Sequence, residues 1–280
     1  MTRVQTLAEI RQLLESYGLS PRKSFGQNFL IDHNLIRTLI DASRVGQGDL
    51  VLEVGPGTGS LTEALLDRGC TVIACEIDRG LVRVTRDRLG DRARFTLVEG
   101  DCLQSKKTLA PAIVEALAHR PFTLVANLPF GVATPLVLEL LTRHADARAL
   151  HVTVQHEVAQ RLTGQPGTKQ YGTLGVVAQA LARVRVIKRV PSECFWPRPD
   201  VSSAMVSIER RPDPLTERPG EFSRFCVRLF SMRRKQLGAV LGRSLAFPPG
   251  VAPDSRAEQL TPVQLVALFD AQRAADDAIG

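Results

Sequence analysis

The chain has 280 residues, 44% of them hydrophobic and 23% charged, which excludes disorder and collagen-like structure and allows one large domain plus a small one. Lysine and arginine number 36 against 29 acidic residues, a formal charge of +7, and such an excess favours a polyanionic partner because each neutralised phosphate releases condensed counterions. Cys70, Cys75, Cys102, Cys194 and Cys226 form no C-x-x-C pair and no even framework, which predicts free thiols and a cytoplasmic setting; no apolar run approaches the roughly 18 residues of a membrane span, so no membrane partner is expected.

The first segment, MTRVQTLAEIRQLLESYGL, has the pattern of an amphipathic helix and lacks the continuous apolar run of a signal peptide. From residue 50 onward, short β-rich runs alternate with helical patterns. DLVLEVG is a strand before a helix over about 59–68, TVIACEID a strand before a helix over 79–89, and RFTLVEGD a strand before a helix within 108–119. FTLVANLPF is a fourth strand, with a helix from about Thr134, and LHVTVQ a fifth, with helices to about Ala182. Such alternation builds a parallel sheet covered by helices. RVRVIKRV and SSAMVSIER are joined by the Pro-rich PSECFWPRPDVS, which suits an antiparallel pair at one side of that sheet. The segment Arg211-Pro212-Asp213-Pro214 marks a linker, with helical patterns at 220–242 and 261–275 beyond it. These features predict an α/β, Rossmann-like domain over 1–212 and a small helical domain over 213–280.

Glu53-Val54-Gly55-Pro56-Gly57-Thr58-Gly59 follows the first strand and opens a helix, where glycines permit close backbone approach and helix N–H groups stand free. The dinucleotide fingerprint needs a third glycine where Ser60 stands, and this disfavours a nicotinamide oxidoreductase. Glu76 ends the second strand about twenty residues on, where an acid can accept both hydroxyls of a ribose. Asp101 ends the third, where a carboxylate can accept from an adenine amino group. A ligand containing adenosine without an essential pyrophosphate contact fits these positions, which points to S-adenosylmethionine.

Asn127-Leu128-Pro129-Phe130 follows the fourth strand. An adenine N6 lone pair is delocalised into the ring and nucleophilically poor. An Asn oxygen and a neighbouring main-chain carbonyl can accept the two N6 hydrogens and steer the lone pair toward a methyl electrophile. The proline stiffens that turn, and the aromatic ring offers a flipped base a stacking face worth about 1–3 kcal/mol.

These residues closely resemble the KsgA-type ribosomal RNA adenine dimethyltransferases. Carrying the resemblance are Lys23-Ser24-Phe25-Gly26-Gln27-Asn28-Phe29-Leu30, the turn from Glu53 to Thr62, Glu76-Ile77-Asp78, Gly100-Asp101 and Asn127-Leu128-Pro129-Phe130. Tyr171-Gly172-Thr173-Leu174, Phe195-Trp196-Pro197-Arg198-Pro199-Asp200-Val201 and Arg233-Arg234-Lys235-Gln236 complete it. It implies a seven-stranded methyltransferase sheet with a helical C-terminal domain, and dimethylation of two adjacent adenines in the 3′-terminal hairpin loop of small-subunit rRNA, naked or already assembled. By matched position Asn28, Leu30, Gly55, Glu76, Asp101 and Asn127 would contact S-adenosylmethionine. Phe130 would stack on the target adenine and Phe195 press its other face. Two positions depart from the pattern: Phe130 stands where Tyr is common, and Asp200 where Lys is usual.

Phe222 to Arg243 holds six basic residues and no acidic one. Arg224 and Arg228 fall on one helical face and Phe222, Phe225 and Leu229 on another, so Arg224, Arg228, Arg233, Arg234 and Lys235 are candidate RNA contacts, with Arg22 and Lys23 a second patch. The five histidines show no metal spacing, and no metal is expected. His156 suits a surface or capping position, and Trp196 either stacks on RNA or packs internally. A monomer is expected. The nearest alternatives are an erythromycin-resistance-type methyltransferase acting on one large-subunit adenine, and a non-catalytic RNA-binding or transcription factor on the same fold; the latter would show a degraded glycine turn or tetrad, and both are intact.

Overall fold

The structure is a computed structural model that describes residues 5–22, 25–105 and 107–277. Its seven-stranded sheet consists of β1 (Leu50–Val54), β2 (Thr71–Glu76), β3 (Phe95–Glu99), β4 (Phe122–Asn127), β5 (Ala147–Gln155), β6 (Ala182–Val190) and β7 (Ser203–Arg210). Their order is β3-β2-β1-β4-β5-β7-β6. The pairs β1–β2, β1–β4, β2–β3 and β4–β5 are parallel, as the strand–helix alternation predicts. Every residue of β1 is buried, because a central parallel strand is covered on both faces.

The helices are α1 (Leu7–Ser16), α2 (His33–Ser43), α3 (Ser60–Asp67), α4 (Arg79–Leu89), α5 (Pro111–Leu117), α6 (Ala133–Arg143), α7 (His156–Leu162), α8 (Thr173–Leu181), α9 (Pro219–Ser231), α10 (Leu237–Leu241) and α11 (Pro262–Asp277). Each of the first two has a side-chain cap: Thr6 and Glu9 form a reciprocal capping box on α1, and Asp32 accepts from Asn34 and Leu35 on α2, the local chemistry that starts a helix. Leu35, Ile36, Leu39 and Ile40 of α2 and Leu61, Leu65 and Leu66 of α3 pack on Val51, Val72 and Val125 from one face of the sheet. Helices α4 and α5 pack against β2 and β3. Among the described residues no helix is long and apolar enough to cross a membrane.

The chain forms two compact units. The first takes residues up to 140 with 144–159 and 185–208; the second takes 141–143, 160–184 and the chain from 209 onward. In the second, α8 packs against α9 and α11, and Phe269 sits against Phe222 and Phe225 at centroid distances of 5.7 and 5.5 Å. Phe222, Phe225 and Leu229 are buried while Arg224 and Arg228 are exposed, so the amphipathic reading of this helix holds.

Candidate active site

Strand order reverses between β1 and β4, and the carboxyl ends of strands flanking such a point frame a crevice. Here they open onto a cavity of about 530 Å³ within the first unit, inside the range of cofactor sites. Asn28, Leu30, Gly55, Glu76, Asp101, Asn127, Leu128, Pro129, Phe130 and Phe195 all line it, so the structure brings together every cofactor and catalytic residue expected from the sequence.

The glycine turn is fixed by close approach. Gly55 and Gly57 have φ of 75° and 61°; a Cβ on Gly55 would lie 3.1 Å from Pro129 Cγ, and one on Gly57 2.9 Å from Phe29 Cε1. The turn from β1 therefore rests directly on the Asn127–Phe130 turn from β4. Thr85 Oγ1 donates to the Gly57 carbonyl at 2.8 Å and Arg88 to the Thr58 carbonyl, so α4 holds the turn from its carbonyls.

Glu76 ends β2 and is buried. Its Oε2 accepts from the Gly57 N–H at 3.2 Å and its Oε1 from the Asp78 N–H at 2.9 Å. Burial raises its pKa, against the pull of those main-chain donors. Each oxygen retains a lone pair for a ligand hydroxyl. Glu53, also buried and on the cavity wall, accepts from Thr62 Oγ1 at 2.6 Å. Its carboxyl is pushed up to about 8, mainly by burial and further by the Glu76 charge, against the Thr62 hydrogen bond. Strand β3 ends at Glu99, so Asp101 stands two residues past the strand and not at its end. There its Oδ1 accepts from the Leu103 N–H at 2.9 Å, an Asx-type turn that keeps the carboxylate at the cavity.

The Asn127–Phe130 turn is more tightly defined than its sequence suggested. Asn127 Nδ2 donates to the Asn28 carbonyl at 3.0 Å. A carbonyl can only accept, so the amide orientation is fixed, and Oδ1 is left without a partner among the described residues. The Leu128 N–H donates to the Thr153 carbonyl at 3.1 Å, while the Pro129 carbonyl accepts from Val132 at 3.1 Å. The Leu128 carbonyl accepts from no described group. Asn127 Oδ1 and the Leu128 carbonyl are thus two free acceptors on consecutive residues. Phe130 is half-buried on the cavity wall.

Phe195 is buried and reaches the cavity because Phe29–Leu30 pairs antiparallel with Phe195–Trp196, Leu30 opposite Phe195. Trp196 stacks on Phe29 at 6.2 Å, and the Arg11 guanidinium lies 5.1 Å from its ring, which decides for internal packing. Tyr171, which the sequence marks only as part of the family resemblance, is wholly buried in the second unit, where its hydroxyl donates to the Leu260 carbonyl at 2.7 Å. His156 starts α7, and its Nε2 lies 2.6 Å from Arg189.

The candidate RNA contacts divide. Arg224, Arg228, Arg234 and Lys235 are exposed. Arg233 is committed internally: it pairs with Glu258 and donates to the carbonyls of Lys169 at 3.0 Å and Thr168 at 2.8 Å. Arg22 is exposed at 3.8 Å from Asp78, and Lys23 lies outside the described residues. Sequence reasoning passed over Gln5, whose side chain meets the hydroxyls of Thr58 and Ser60. The one available signal was a hydroxyl residue at position 60, where a dinucleotide site has glycine.

A glycine turn that a Cβ would fill, a buried carboxylate with spare acceptors at the second strand end and a paired-acceptor turn at the fourth define a methyltransferase of the α/β class, and these residues fit S-adenosylmethionine. The profile of the family described as ribosomal RNA adenine dimethylase matches residues 18–272. The chain is 39% identical over 280 residues to the ribosomal RNA small subunit methyltransferase A of Phenylobacterium zucineum, covering 98% of this chain and 96% of that one. With the protein of the same name from Rhodococcus opacus it shares 40% over 279 residues, covering 93% and 92%. Among solved structures, a dimethyladenosine transferase from Plasmodium falciparum superposes with a TM-score of 0.70 at 21% identity, over 86% of this chain and 97% of that one. The 23S rRNA methyltransferase ErmE superposes at 0.64 with 25% identity, over 88% and 100%. The chain belongs to the ribosomal RNA adenine dimethylase family, and that membership implies S-adenosylmethionine as methyl donor.

Proposed function

We propose that this protein dimethylates N6 of two adjacent adenines in the 3′-terminal hairpin loop of small-subunit rRNA. The observation that supports the chemistry is a pair of acceptors without a partner among the described residues, Asn127 Oδ1 and the Leu128 carbonyl, on consecutive residues that line the cavity. Two acceptors match the two hydrogens of an adenine amino group. Holding both turns the N6 lone pair out of conjugation and toward the donor. When bound, S-adenosylmethionine supplies an electrophilic sulfonium methyl. In each transfer the N6–methyl bond would form as the methyl–sulfur bond breaks, the donor leaving as a neutral thioether and the methylated nitrogen releasing one proton to solvent. One hydrogen then remains to be held; after the second transfer none remains, and the finished base loses both hydrogen bonds and is released. Phe130 and Phe195 supply aromatic faces for the base, and Glu76 and Asp101 accept from the donor's ribose and adenine. The exposed cations of the C-terminal segment supply phosphate contacts, which position the RNA without reading sequence.

The small-subunit target rests on the relatives' names. Primer extension on rRNA from cells lacking the protein tests it directly. Loss of dimethylation at two adjacent small-subunit adenines, restored by the intact gene and not by Asn127→Ala, is expected. Loss at a large-subunit adenine instead would reassign the target while leaving the chemistry in place.

A further inference from the structure

Gln5 precedes α1, and only 8% of it is exposed. Its Oε1 accepts two hydrogen bonds, from Thr58 Oγ1 at 2.8 Å and from Ser60 Oγ at 2.7 Å. Its main-chain carbonyl faces His33 Nε2 at 3.1 Å. Thr58 and Ser60 flank Gly59, which has a φ of 84°, and both line the cofactor cavity. The residues that follow Gln5 are anchored in turn: Thr6 caps α1, and Ile10 and Leu14 bury against Phe29 and Leu81. A single side-chain oxygen thus ties an anchored N-terminal segment to both shoulders of the glycine turn.

Among the described residues, the turn's other side-chain ties, from Thr85, Arg88 and Glu76, all act on its main chain. The Thr58 and Ser60 hydroxyls are buried donors whose acceptor among the described residues is Gln5. Without that acceptor each would rotate toward whatever oxygen lies near, including those of a ligand in the cavity, and the turn would lose the constraint on both sides of its left-handed residue.

We propose that Gln5 is a positioning residue for the methyl donor: by engaging the Thr58 and Ser60 hydroxyls it holds the glycine turn in the conformation that binds the donor. This rests on the cavity being the donor site. Its consequence is selective. A turn already shaped for the donor lowers the concentration of donor needed, while the acceptor pair on the Asn127 turn, which acts on the base, is held by its own hydrogen bonds to the Asn28 and Thr153 carbonyls. Gln5 should therefore act on KM for S-adenosylmethionine and leave kcat alone.

The test compares Gln5→Leu, Gln5→Asn and Gln5→Glu in the full-length protein, with donor affinity by calorimetry and steady-state methylation of small-subunit RNA. Gln5→Leu removes the acceptor, and Gln5→Asn draws it back by one methylene. Both should raise donor Kd and KM roughly tenfold, with kcat at saturating donor within about twofold. Gln5→Glu keeps oxygen acceptors next to the start of α3, where negative charge is favourable, and should restore near-normal KM. If Gln5→Leu fails to fold, Gln5→Asn carries the same comparison. A lowered melting temperature with unchanged donor KM in either variant overturns the proposal, leaving Gln5 a packing residue. Failure of Gln5→Glu to rescue overturns it as well. Failure of the unsubstituted protein to bind S-adenosylmethionine would overturn the cofactor reading, and this proposal with it.

Discussion

Asn127 and Phe130 stand three residues apart in one turn, and the proposed mechanism assigns them different parts of the base. Asn127 offers an acceptor to the amino group, so Asn127→Ala should depress the single-turnover methyl-transfer rate by about a hundredfold, the order seen when one transition-state hydrogen bond is removed. RNA affinity should hardly change, because phosphate contacts dominate it. Phe130 offers a face; Phe130→Tyr should keep most of the activity, and Phe130→Ala should lose roughly tenfold through weakened stacking. A normal transfer rate in Asn127→Ala would remove the acceptor mechanism. Equal rates for Phe130→Ala and Phe130→Tyr would remove only the stacking. Glu53 makes a separate prediction at the same scale. Its folded pKa of about 8 lies above the ordinary value of 4.5, so the folded chain keeps a proton that the unfolded chain releases. Its contribution to stability is fully present below about pH 4.5 and is lost as pH rises through about 8. Glu53→Gln retains an acceptor for Thr62 and cannot titrate. Denaturant unfolding between pH 5 and pH 8 should show the variant gaining on the unsubstituted protein as pH rises, and a constant difference would mean that Glu53 does not titrate in that window.

At the scale of elements, what the sequence revealed and what it hid follow from the range of the interactions. The strands from Leu50, Phe95 and Phe122 declare themselves through runs of β-branched and apolar residues ended by glycine or proline, the strand from Thr71 through such a run alone, and α4 was legible over its length from Arg79 to Leu89, though not its cap at Asp78. The cavity was legible for a related reason, since a parallel sheet gathers its strand ends and the motifs after three strands must converge there. The tie of Asn127 to Asn28 was not legible, because 99 residues separate the partners and no periodicity marks them. The same holds for Phe29 on Trp196, for Tyr171 reaching Leu260 and for the gathering of 160–184 into one unit with the chain beyond 209. Tyr171→Phe tests such a contact in isolation. It leaves the Leu260 carbonyl buried without its donor and should lower unfolding free energy by about 1–3 kcal/mol by denaturant titration, with donor affinity unchanged. In the glycine turn, Gly55→Ala places a Cβ at positive φ against Pro129. Destabilisation by about 1–2 kcal/mol should come with weakened donor binding, since the two turns that it forces apart share the cavity.

For the whole molecule, the 36 lysines and arginines overstate the cations available to RNA, because many of the arginines are paired with carboxylates of the same chain. Arg68 pairs with Asp41, Arg92 with Asp67, Arg88 with Glu63 and Arg243 with Asp254. Within the run Arg233-Arg234-Lys235 the division falls between neighbours. Arg233 bridges Glu258 to two carbonyls of the 168–169 segment, whereas Arg234 and Lys235 are exposed without a described partner. Charge counting assigns all three to RNA; the structure separates them by what each variant should disturb. Arg233→Ala should lower the melting temperature, because it strands a carboxylate and two carbonyls, and should leave the salt dependence of RNA binding nearly as it was. The double variant Arg234→Ala/Lys235→Ala should melt normally, yet reduce the slope of log K against log salt by up to about two, one condensed counterion for each lost phosphate contact. Donor affinity should be the same in both, since the cofactor cavity is built wholly from the other unit. Filter binding across a salt series, paired with thermal melts, separates the outcomes. If the double variant leaves the slope unmoved, this run is a solvated surface and the RNA is held elsewhere, with Arg224 and Arg228 the next pair to neutralise.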